Sequence, residues 1–244
     1  MRPQTQISKQ LAKPQSSGGQ APLTVQDHTA VMKAVMENYT ALTKKLGKKR
    51  PSGVEVLNAL LQVRGVDART KASIRNALAV LPMIEKTRKK MPAVTKAAVN
   101  EVAQQLDNAR TMPEMIKNLK AVKKSRTALK KSLAAAPDDG LLTGVDLAIG
   151  ILEDGRATIY SPEMLQTISR TNGATQAAAK NTVGTEDAKG AVAGAVTGCL
   201  YGAAGGTIVL PGGGTAAGCV GVGVVAGTAS AIGASAAAIF GMFL

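Results

Sequence analysis

The last 55 residues, Gly190 to Leu244, contain no charged side chain and set Gly190, Gly194, Gly198, Gly202 and Gly206 four residues apart. A four-residue step returns to nearly the same face of a helix, so these five glycines form one groove. In water each helical glycine costs about 1 kcal/mol relative to alanine, which makes this a poor free-standing helix. In lipid the backbone has no water to bond with and stays helical, and the groove lets a second helix approach closely. The pattern therefore demands a partner.

Residues 215–244 supply one, with small residues in two rows: Gly223, Gly227, Ala231 and Ser235, then Ala229, Gly233, Ala237 and Gly241. Between the two stretches Pro211, Gly212, Gly213 and Gly214 make a strong turn signal. At a rise of about 1.5 Å per residue the second stretch reaches roughly 45 Å, and the first, about 188–210, roughly 34 Å. Both exceed a hydrocarbon core of about 30 Å. The expectation is a Gly/Ala-rich transmembrane helical hairpin over 188–244. Burial of the same hairpin by the preceding helices is the competing arrangement, and the shortness and basicity of those helices argue against it.

Cys199 and Cys219 lie at different distances from Pro211 and would not meet across a turn placed there. A loop beginning at Gly205 would bring them level and permit a disulfide. It would also shorten the first helix to about 16 residues, roughly 24 Å. Free thiols packed as small apolar groups are the other reading.

All 30 Lys and Arg and all 16 Asp and Glu lie in residues 1–189, so a basic region precedes a neutral one. With Trp absent, two Phe and three Tyr, packing must rest on Ala, Val, Leu and Met, which favours helices and an all-α fold. Residues 1–24 are polar, lack a signal-peptide core and are expected to be disordered. Apolar periodicity predicts helices over 25–46, 54–64, 67–81 (ended by Pro82), 92–110 and 111–136. A turn at 137–140, a short buried helix at 141–152 and a helix at 161–170 follow. The resulting plan is a basic helical domain over 25–170, a linker over 171–187, and the hairpin.

Between Glu114 and Ala136 the cations Lys117, Lys120, Lys123, Lys124, Arg126, Lys130 and Lys131 oppose an apolar stripe. Such a helix suits an anionic membrane surface or an acidic partner, and equally the solvated face of a basic bundle. The run from Lys44 to Arg50 is read as a solvated helix end. Nucleic acid is the weaker partner, because the basic region lacks stacking aromatics and zinc-finger spacing. A single histidine, His28, placed near the end of the tail, and cysteines without a local base leave no catalytic, cofactor-binding or metal-binding constellation, so no enzyme is expected.

Through the repeat GAVAGAVTGCLYGAAGG, the PGGG turn, the paired Cys199 and Cys219 and the uncharged C-terminus, Gly190 to Leu244 resembles the glycine-zipper domains of class II bacteriocins and the colicin V type of microcin. The resemblance covers under a quarter of the chain and implies a segment that inserts into a target bacterium's inner membrane and makes it leaky. Ser17-Gly18-Gly19 departs from the double-glycine leaders of those families, which carry apolar residues where this chain has Ser16 and Lys13. The long basic region looks more like the carrier module of a delivered toxin. The resulting expectation is a pore-forming antibacterial toxin, secreted or delivered without a classical signal peptide. It would oligomerise in an anionic membrane and act with delivery machinery or an immunity protein as partner. The alternative is an effector or phage component that uses the hairpin only as a tether.

Overall fold

Side-chain caps start several of the helices. Thr24 and Asp27 exchange hydrogen bonds at the first, with Thr24 N donating to Asp27 Oδ2 at 2.9 Å. Ser52 and Glu55 do the same at another, as their spacing predicts, and Asp67 accepts from Thr70 N at 2.9 Å at a third. The computed structural model describes residues 23–47, 50–132, 137–159, 176–209 and 213–241. The side chains of 129–132, 137–138, 156–157, 176–181, 203–209, 213–218 and 241 fall outside that description. The expected tail over 1–22, the helix at 161–170 and the turn residues Pro211 and Gly212 lie outside the described residues.

Among the described residues the chain is all-helical. In order, α1 is Val25–Glu37, α2 Tyr39–Leu46, α3 Gly53–Leu61, α4 Ala68–Arg88 and α5 Ala93–Asp107. Then come α6 Met112–Ser132, α7 Pro137–Ala157, α8 Gln176–Val209 and α9 Gly213–Gly241.

Several boundaries depart from expectation. The helix read over 25–46 breaks at Asn38, whose side chain bonds back to the Ala34 carbonyl at 2.8 Å. Pro82 does not end α4, which continues to Arg88 because Ile84, one turn beyond Leu81, is buried in the core. Residues 137–140 are the first turn of α7, with proline at its opening position. Residues 176–187, read as linker, are the first turns of α8, with Val183 and Asp187 buried. Leu23 and Thr24, read as the end of the tail over 1–24, belong to the fold, since Leu23 is buried and Thr24 caps α1.

The largest revision concerns what surrounds the hairpin. Helices α8 and α9 pack against each other along their length, and α1, α3, α4, α5, α6 and α7 pack on them. One apolar cluster runs from Met32, Leu57 and Ile74 through Met115 and Leu152 into Val192, Ile232 and Ile239. Short amphipathic stripes suffice as cover because each buries several apolar side chains while its cations stay outside. At the far end of α9, Phe240 is fully buried with its ring 5.0 Å from that of Tyr39.

Candidate functional site: the glycine-faced hairpin and its clasp

The glycines of α8 lie against α9 backbone. A methyl group placed on Gly194 would sit 2.5 Å from Ala226 O, one on Gly198 2.6 Å from Val222 O, and one on Gly190 2.8 Å from Ser230 O. From the other side, Gly223 and Gly227 face Ala195 and Ala191 at 3.1 and 2.9 Å. At all of these but Gly223 the approach is one that only a missing Cβ allows, and together they make the zipper an intramolecular seam between α8 and α9. Gly233 instead faces Leu81 at ordinary contact distance, and it is Gly53 of α3 that has no room for a side chain, since a methyl group there would run into the Gly233 backbone. Gly202 is buried. The packing of Gly206, Gly213, Gly214 and Gly241 lies outside the described residues.

Two glycines that the sequence reading passed over complete the seam. Gly140 and Gly144 of α7 stand four apart, and a methyl group on them would lie 2.7 Å from Cys199 Cβ and 2.8 Å from Val192 Cα. The four-residue spacing was the available signal, masked by the expectation of a turn at 137–140.

Cys199 and Cys219 form a disulfide between α8 and α9, 20 residues apart in sequence. The bond does not require the loop to begin at Gly205, because α8 runs on to Val209. Facing helices meet within about a turn of any given level, roughly 5 Å, which absorbs the mismatch counted from Pro211.

Three consecutive residues of α1 clasp three other helices. Asp27 Oδ1 accepts from Ser73 Oγ of α4 at 2.8 Å, His28 Nε2 bonds Asp187 Oδ1 of α8 at 2.8 Å, and Thr29 Oγ1 donates to Asp154 of α7. His28 and Asp187 are both fully buried. His28 therefore belongs to the core rather than to the end of a tail. The last charge before the neutral stretch, Lys189, is paired with Asp107 of α5 and with Glu186 at 3.3 Å.

Burial alone would push the Asp27 carboxyl up, but hydrogen bonds from Thr24 and Ser73, with Arg69 nearby, more than offset this and hold it below its ordinary value of 3.8. Thr70 holds the Asp67 carboxyl down in the same way. A carboxyl depressed by folding contributes stability that is complete above the unfolded value and is lost as pH falls through the folded one. The urea midpoint should therefore decline below about pH 4, and Asp27→Asn should flatten that decline. Equal midpoints at pH 6 and pH 3 in the unaltered chain would refute it.

On α6, three of the predicted surface cations meet carboxylates of neighbouring helices: Lys120 with Glu153 at 2.8 Å, Lys123 with Asp146 at 2.6 Å and Arg126 with Glu101 at 2.9 Å. Lys117 and Lys124 are exposed, and the side chains of Lys130 and Lys131 lie outside the described residues. Each pair is a surface pair worth about 0–1 kcal/mol, so its effect is on local charge rather than on stability.

One helix among the described residues is long and apolar enough to cross a membrane, Cys219–Phe240, with a mean hydropathy of 1.7. Its 22 residues extend about 33 Å. Helix α8 carries Lys180, Glu186, Asp187 and Lys189 in its first half. No family model matches the chain, and no curated protein or solved structure matches it significantly.

Proposed function

We propose that the chain is a membrane-active, non-enzymatic protein whose basic helices clothe the hairpin in water and give it up to a bilayer, where it permeabilises the target cell's inner membrane as an antibacterial toxin. The observation that carries this reading is the difference in kind between the hairpin's two interfaces. Its seam, which Gly140 and Gly144 of α7 join, rests on close backbone approach at Gly190, Gly194, Gly198 and Gly227, and its outer surface beneath α1 and α4 on ordinary apolar burial. Burial is driven by water and loses its drive where lipid chains offer the same contacts, whereas close packing does not depend on water. Transfer to a bilayer therefore favours shedding the cover and keeping the seam.

Secretion or dedicated delivery, oligomers in an anionic membrane, and a delivery or immunity partner belong to the same proposal. A second reading takes its support from the single span-length helix: α9 alone anchors the chain, and the rest is tethered cargo. Dye release separates the two. Added to vesicles rich in phosphatidylglycerol, the full chain should empty them, and vesicles of phosphatidylcholine alone should leak far less. Stable binding without release would discard permeabilisation and leave the tether.

A further inference from the structure

We infer that the corner between α4 and α5, residues 85–97, is the surface by which this protein docks on an anionic lipid bilayer; the inference rests on the bilayer being its partner. Lys86, Arg88, Lys89, Lys90 and Lys96 are all exposed there, against one acid, Glu85, which pairs with Lys89 at 3.4 Å. Lys86, Lys90 and Lys96 have no carboxylate partner among the described residues. Amid them Val94 is 76 % exposed, the most exposed large apolar residue described, beside Pro92 and Ala93, which are also exposed. Cations around an exposed apolar tip match the two layers of a bilayer surface: phosphates take the charges, and the tip enters the acyl boundary. Helix-end cations that merely complement a dipole need neither that number nor a bare valine at the start of the next helix. The basic face of α6 is the weaker candidate, since Glu153, Asp146 and Glu101 draw three of its cations into pairs.

Glu85 and Arg88 of the corner also line a cavity of about 500 Å³ between α4, α5 and the hairpin. Leu81, Ile84 and Val99 line its outer wall, and Gly190, Gly194 and Gly233 its floor. The corner is thus a loosely packed cover over one flank of the glycine seam. A bilayer that holds the outside of this cover pulls on an incompletely filled part of the jacket.

The test is cosedimentation of the full chain with vesicles of phosphatidylcholine and phosphatidylglycerol. Lys86→Gln, Lys90→Gln and Lys96→Gln together should lower the partition coefficient by roughly a hundredfold, at about fivefold per charge. The matched triple Lys44→Gln, Lys117→Gln and Lys124→Gln, on α2 and α6 rather than at the corner, should cost under about fivefold. Val94→Ser should weaken binding without altering charge. All these residues are exposed, so folding is not at stake, and helical content checks it. Equal losses from the two triples would overturn the corner in favour of net charge alone. Retention of a DNA duplex with no vesicle binding would overturn the bilayer as occupant. Binding through the corner without dye release would leave this inference standing and remove permeabilisation. Dye release with undiminished binding by the corner triple would do the reverse.

Discussion

Replacing His28 with alanine should lower the unfolding free energy by about 3 kcal/mol, the upper end of the cost of taking a hydrogen-bond partner from a buried polar group. In a chain of this length that is a fall of roughly 6–12 °C in the melting temperature. The reason is geometric: His28 Nε2 bonds Asp187 Oδ1 at 2.8 Å with both side chains fully buried, so the variant leaves a carboxylate in the interior without its histidine. Asp187 lies three residues before Gly190, and the bond ties the jacket helix α1 to the hairpin at the point where the glycine seam begins. His28→Ala should therefore also speed dye release from anionic vesicles, because it weakens the cover and leaves the seam untouched. Adding Asp187→Ala should restore part of the lost stability, since removing both members of a buried hydrogen-bonded pair leaves neither without the other. Losses that simply add would mean that the two side chains act independently. A destabilised His28→Ala protein that releases dye no faster than the unaltered chain would show that loosening α1 is not on the route to the membrane.

How much of this was legible in the sequence follows from what each pattern encodes. The α8 row at Gly190, Gly194 and Gly198 could be found because a four-residue glycine period has one geometric meaning, and these residues do face α9. The Ser52–Glu55 cap and the buried helix within α7 were readable for the same reason, each being local. The covering of the hairpin was not. It arises only when the stripes of six separate helices are summed, as when Met32, Leu57, Ile74 and Leu152 reach one cluster from four of them. His28 was misplaced because a buried polar residue is identified by its partner, and Asp187 is 159 positions away. Pro82 reads as a stop on local grounds, whereas the burial of Ile84 beyond it favours continuing the helix.

The glycine seam yields the sharper experiment, because there helix propensity and packing act in opposite directions. Gly221 is an exposed position of α9 where an added methyl group would meet nothing within 4 Å. Gly221→Ala should therefore raise stability by up to about 1 kcal/mol, the ordinary gain for an exposed helix interior. At Gly194 the same methyl group would lie 2.5 Å from both Ala226 O and Ser230 Oγ, and the carbonyl belongs to a backbone that cannot swing aside. The helices would have to part, at the typical overpacking cost of about 1–3 kcal/mol, which exceeds the propensity gain. Gly194→Ala should be net destabilising, and Gly194→Leu with Gly198→Leu should prevent α8 and α9 from closing at all. Chemical denaturation in water reads the two alanine variants directly. A gain at both positions would show that Gly194 does not face a helix. The same comparison in lipid vesicles tests the larger claim, because a penalty set by backbone contact must keep its sign when water is replaced by acyl chains, whereas one set by burial must shrink.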